Sequence, residues 1–145
     1  MKESSLCRKG RDAYARRAWQ QAYQELLLAD RAAPLGGEDL ERLAVASYLT
    51  GRESEFLSCY ERAHRAHLAR EAPEHAARCA FWLGLAALLR GEPGQASAWL
   101  ARARRLVGRK ACPVQGYLLL PDAERQLQAG DFQAACKTAS RAAVI

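Results

Sequence analysis

FWLGLAALLRGEPGQASAWLARAR, residues 81 to 104, is the stretch that decides the fold. Its apolar run ends at Arg90 and Gly91, and glycine tolerates the left-handed backbone that stops a helix. Pro93 follows where a new helix can start without losing a required hydrogen bond. Gly84, Ala96 and Ala103 are small and fall on facing sides of the two segments. The backbones can therefore approach closely while Leu83, Leu88 and Leu100 fill the space between. The stretch predicts two antiparallel helices joined by a tight turn.

The same spacing recurs along the chain. From Gly84 the steps are 7 to Gly91, 5 to Ala96, 4 to Leu100 and 3 to Ala103. These steps also connect Ala123, Gly130, Ala135, Ala139 and Ala142, and they connect Ala44, Gly51, Phe56, Tyr60 and Ala63, where the Phe56 ring is a misfit at a small-residue site. A fourth set runs through Gly10, Arg17, Ala22, Leu26 and Ala29, with Arg17 in place of the turn glycine. Successive turns are 34, 40 and 39 residues apart, a period typical of stacked helical hairpins.

Composition agrees with this reading. The 145 residues suffice for one domain with a real core, and a single domain over 1–145 is expected. Half the residues are hydrophobic, and alanine, leucine and arginine outweigh the β-branched types, so the predicted class is all-α. Eight helices are predicted, over residues 3 to 16, 18 to 32, 38 to 50, 52 to 70, 73 to 90, 92 to 107, 117 to 129 and 131 to 144. Asp131 is the N-cap of the last. Lys2, Glu3, Arg8, Lys9, Arg11 and Asp12 exclude a secretory apolar region at the start. The longest apolar run, Cys79 to Leu89, is too short to span a bilayer. A soluble, cytoplasmic protein is expected, with no membrane partner.

Cys7, Cys59, Cys79, Cys112 and Cys136 are odd in number and lack CxxC spacing, so they read as reduced, small core residues. His64 and His67 lie three apart with His75 beyond. Together with Cys59 or Cys79 they would offer the usual imidazole and thiolate ligands of zinc, but nothing in the spacing fixes four of them, and no metal or cofactor is expected.

The residues that carry a family resemblance are Trp82-Leu83-Gly84, Gly91, Ala96 and Ala103, followed by Gly130-Asp131-Phe132 and Ala135. This pattern resembles the tetratricopeptide repeat over nearly the whole chain. More narrowly, Arg90-Gly91-Glu92, the run from Ala98 to Leu106, Tyr60-Glu61-Arg62-Ala63-His64 and Cys112-Pro113 resemble the N-terminal helical repeats of large LuxR-type bacterial transcription regulators. The resemblance implies a right-handed solenoid of about four antiparallel hairpins, serving as the regulatory or scaffold portion of such a regulator. The DNA-binding helix-turn-helix that those regulators carry at their C-terminal end is not seen before Ile145.

Enzyme chemistry finds little footing. Gly36-Gly37 lacks the spacing and the following lysine of a phosphate loop, and no serine stands in a nucleophile elbow. The pairs Glu38 with Glu41 and Glu71 with Glu74 fall at helix starts, where the helix dipole accounts for them. No enzymatic activity is expected. A net charge of +6 and a pI near 9.3 raise a nucleic-acid reading. So do the clusters Arg102, Arg104, Arg105, Arg109, Lys110 and Arg8, Lys9, Arg11, Arg16, Arg17. Arginine also covers helix faces in solvent, so nucleic acid is not the expected partner of this chain alone.

Solenoids bind partners along the first helix of each hairpin. Carrying the repeat pattern over, the exposed inner positions are Glu41, Val45 and Tyr48, then Arg78, Phe81, Leu85 and Leu88, then Tyr117, Leu120, Glu124 and Gln128. Core packing competes with partner contact at Phe81, Leu85 and Leu88, and Trp82 and Trp99 are assigned to the core. The expected function is that of a protein- or peptide-interaction module. The alternatives are a small-ligand-sensing helical domain and a basic protein that binds nucleic acid directly. The last hairpin ends on Ala143, Val144 and Ile145, too apolar for a solenoid cap, so a further helix of a longer chain or a second copy is expected to cover it, the latter giving self-association.

Overall fold

The predicted turns share one geometry. Gly51, Gly91 and Gly130 have φ of +80°, +73° and +80°, and Arg17 takes +59° without the freedom of a glycine, at a cost of roughly 1–2 kcal/mol. At each turn the left-handed residue donates its N–H three residues back, to Tyr14, Tyr48, Leu88 or Leu127, and the next residue donates five back, to Ala13, Ser47, Ala87 or Gln126. These paired bonds satisfy the carbonyls that a helix end leaves open.

The computed structural model describes residues 4–144. Among them are eight α-helices and no strand: α1 (Ser5–Ala15), α2 (Trp19–Ala32), α3 (Gly37–Leu49), α4 (Glu53–Ala69), α5 (Pro73–Leu89), α6 (Pro93–Val107), α7 (Pro113–Gln128) and α8 (Phe132–Ala143). Glu3 and Ile145, the outermost positions of the predicted first helix and of the apolar end, lie outside the described residues. Most boundaries fall within two residues of expectation, and one differs by more, because α7 begins at Pro113 and not at 117. Cys112 is extended and Pro113 occupies the first helical turn, and the Gln115 amide donates to the Gly108 carbonyl at 2.6 Å. Asp131 caps α8 as predicted, accepting from the Ala134 N–H at 3.1 Å.

Consecutive helices pack in pairs, α1 with α2, α3 with α4, α5 with α6 and α7 with α8. The chain forms two compact units that divide between Arg70 and Glu71.

In the first unit α3 packs against both α1 and α2. Gly10 permits a close approach of α1 to α2, since a Cβ there would lie 2.6 Å from Leu26 Cγ. Arg11 on α1 reaches Asp39 on α3 with Nε at 2.8 Å and Nη2 at 2.6 Å, while Arg42 meets the same carboxylate at 2.7 Å. Burial pushes the Asp39 carboxyl up, but these two guanidinium groups outweigh it and hold it below its ordinary value. Three further bonds tie α2 to α4 and its N-cap residue Arg52 at a constant offset of 32 residues: Arg52 to Gln20, Tyr23 to Glu55 and Arg62 to Asp30. The constant offset means that the two helices run parallel.

In the second unit α7 packs against both α5 and α6. The core is apolar, with Phe81, Leu100, Val107, Cys112, Val114 and Leu118 packed around the small residues Ala77, Ala80 and Ala103. Gly84 plays the part of Gly10: a Cβ there would lie 2.9 Å from Leu100 Cγ and 3.4 Å from the Ala96 carbonyl. The Arg102 guanidinium lies 4.7 Å from the Trp99 ring.

Candidate interaction surface

Glu41, Val45 and Tyr48 stand on α3 in the first unit. Glu41 is not an exposed inner position as the repeat pattern predicts. It is buried, and its carboxylate lies 3.0 Å from His67 Nε2 on α4. The cause is local, because Gly37, one turn before Glu41, lets the His67 ring lie against α3. A Cβ at 37 would fall 2.5 Å from His67 Cε1. Val45 is half-buried. Tyr48 is 56% exposed and its ring lies 5.1 Å from Phe56, which in turn packs on Tyr60 at 5.0 Å. The bulky Phe56, the misfit of the repeat, is thus accommodated under an aromatic lid.

The remaining eight predicted positions fall on α5 and α7 of the second unit. Phe81 corrects a second expectation of exposure. It is 1% exposed and belongs to the core, with its ring stacked on Tyr117 at 5.6 Å. Arg78 and Leu85 are half-buried, and Leu85 rests against the core. Leu88, Tyr117 and Leu120 are exposed. Glu124 and Gln128 are exposed one helical turn apart, and the Gln128 amide donates to Glu124 at 3.2 Å.

Trp82 overturns the core assignment made for it. It is 36% exposed, with its ring 5.2 Å from Phe81 and 6.4 Å from Tyr117. Leu89 and Leu127 are exposed too. On α5, Arg78, Trp82, Leu85 and Leu89 lie at i, i+4, i+7 and i+11. On α7, Tyr117, Leu120, Glu124 and Leu127 lie at i, i+3, i+7 and i+10. Each set is one helical face. These spacings were visible in the chain, but α5 is apolar nearly all round, so periodicity could not tell which flank α7 would cover. Trp99, assigned to the core alongside Trp82, packs against it while half-buried.

The result is a surface of rings and aliphatic side chains on two adjoining helices, with Arg78 and Glu124 as its charges. Such a surface gains free energy by burying apolar area of a partner, and the indole N–H and phenol O–H give that partner polar handles. Part of the positive charge is engaged in ion pairs: Arg104 pairs with Asp122 at 3.3 Å, Arg125 with Asp122 at 2.6 Å, and Lys110 with Glu74. No helix among the described residues is long and apolar enough to cross a membrane. No protein-family model matches this chain, and no curated protein matches it.

Proposed function

We propose that this protein is an interaction module of the tetratricopeptide type, cytoplasmic and part of, or related to, a LuxR-type transcription regulator. Each of its units is a two-hairpin segment of such a repeat array. The α5–α7 face of the second unit binds a peptide or protein segment, with Trp82 and Tyr117 as anchors and Leu85 and Leu120 as the apolar bed. The observation that carries this reading is the exposed aromatic pair at 6.4 Å on two adjoining first helices, since exposed rings in a cluster mark interaction surfaces. The ion pairs of Lys110 and Arg104 favour this reading over direct nucleic-acid binding. The exposed Phe132 and Val144 support self-association through the C-terminal hairpin as a second contact.

Selection of displayed random peptides on the full chain tests the main proposal. The selected peptides should lose about 2 kcal/mol or more of binding to Trp82→Ala or Leu120→Glu, with both variants still folding cooperatively and binding to Tyr48→Ala intact. Peptides that bind Trp82→Ala and Leu120→Glu as tightly as the parent chain would refute it.

A further inference from the structure

The first unit holds an open cleft of about 410 Å³ between α2 and α4, a volume in the range of small-molecule sites. The parallel register of the two helices makes it. Tyr23 donates to Glu55 at 2.6 Å at one end, and Arg62 clasps Asp30 with two bonds of 2.8 Å at the other. The two latches are seven residues apart on both helices, or about 10 Å along the axis. Between them the lining is Leu27, Leu43 and Cys59, with Ser58 on the rim. Burial pushes the Cys59 thiol up to about 11, so it stays neutral and serves as part of an apolar floor.

The charges of the cleft are unequally engaged. Asp30 is satisfied by Arg62 on both oxygens and by the Leu35 N–H at 3.2 Å. Glu55 is held by the Tyr23 hydroxyl, over whose ring the Arg52 guanidinium lies at 3.9 Å. Arg31, in the lining beside Asp30, is exposed and makes no ion pair with a carboxylate among the described residues. The uncompensated charge at the Asp30 end is therefore positive, while Glu55 keeps its negative charge about 10 Å away at the other end, and the floor between them is apolar.

We infer that the α2–α4 cleft of the first unit is a binding site for a small organic carboxylate, its apolar body on Leu27, Leu43 and Cys59 and its carboxylate on Arg31 with the Ser58 hydroxyl. Arginine suits a carboxylate through its planar fork of donors. The site is separate from the α5–α7 face, so either assignment can fail without the other.

Hexanoate, hexanol and hexylamine are the probes, titrated into the isotope-labelled full chain with amide resonances read by NMR. Hexanoate should give saturable shifts at Leu27, Ser58 and Cys59, with hexanol weaker and hexylamine weakest. Arg31→Glu should weaken hexanoate about tenfold or more and improve hexylamine, while Arg105→Glu, far from the cleft in sequence, should leave both unchanged. Leu27→Trp, which fills the cleft, should abolish hexanoate shifts while the spectrum stays dispersed. Absence of saturable shifts at cleft amides, equal binding of hexanoate and hexanol, or no response to Arg31→Glu would each overturn the inference.

Discussion

The two units use the same turn geometry but fasten their hairpins to each other by different forces. In the first unit, side chains set the register: Arg11 reaches from α1 to Asp39 on α3, and Tyr23–Glu55 and Asp30–Arg62 join α2 to α4 at one constant offset. In the second, the hairpins meet on apolar side chains, with Phe81 of α5 stacked on Tyr117 of α7 and Val114 and Leu118 of α7 in one core with Leu100 and Val107 of α6, while Arg104–Asp122 lies at the surface. Directional polar bonds specify one alignment and leave a cleft between the helices they bridge. Apolar packing closes the space between helices and leaves surplus rings, such as Trp82, for a partner. Repetition of the turn thus does not carry repetition of the surface, and the two candidate binding regions differ accordingly.

The largest effect that can break this contrast is loss of the second unit's central ring. Phe81→Ala removes a fully enclosed side chain and should destabilise by about 3–5 kcal/mol, read from the denaturant midpoint. The loss should be insensitive to pH and salt. A cost of less than about 1 kcal/mol would mean that the rings do not hold this unit.

The polar latches of the first unit should show the opposite signature. Asp30 and Asp39 both ionise below their ordinary value of 3.8 in the fold, Asp30 chiefly through its bonds from Arg62 and Asp39 because Arg11 and Arg42 outweigh its burial. A depressed carboxyl contributes stability above its unfolded pKa and loses it as pH falls through the folded value. The chain should therefore lose stability from about pH 5 downward. Replacing both residues with asparagine should cost about 1–2 kcal/mol at neutral pH, a modest figure because Arg11 and Arg62 remain partly in solvent. The double variant should also fall less steeply on acidification. Parallel pH curves for parent and variant would show that the latches contribute no linkage.

The smallest effect concerns the end of the second unit. Val144 is 84% exposed, so Val144→Glu should change stability by no more than about 0.5 kcal/mol. If the C-terminal hairpin mediates self-association, sedimentation of the parent chain should depend on concentration and that of Val144→Glu should not. A parent chain that stays monomeric at high concentration removes this contact.

Particular residues show where the reading from sequence stopped. The turn at Arg17 was legible from spacing alone, because Gly10, Ala22, Leu26 and Ala29 kept the steps of the other hairpins. Gly84 and Ala96 were likewise legible as a close contact. Glu41 was not legible as a buried partner of His67, because the two lie 26 residues apart and periodicity speaks only for one helix at a time. Trp82 went to the core for the same reason, since α5 is apolar on several sides and only the seating of α7 decides which side remains in solvent. The latches at an offset of 32 depend on how one hairpin is shifted along the next, and no local spacing encodes that shift.

By itself the sequence determined eight helices, their pairing and their turns, because glycine conformation, proline position and 3.6-residue periodicity act over a few residues at a time. Only the tertiary structure decided which apolar and charged side chains face solvent. That outcome rests on the register between hairpins, a balance of burial and ion pairing among residues about 30 positions apart in the chain.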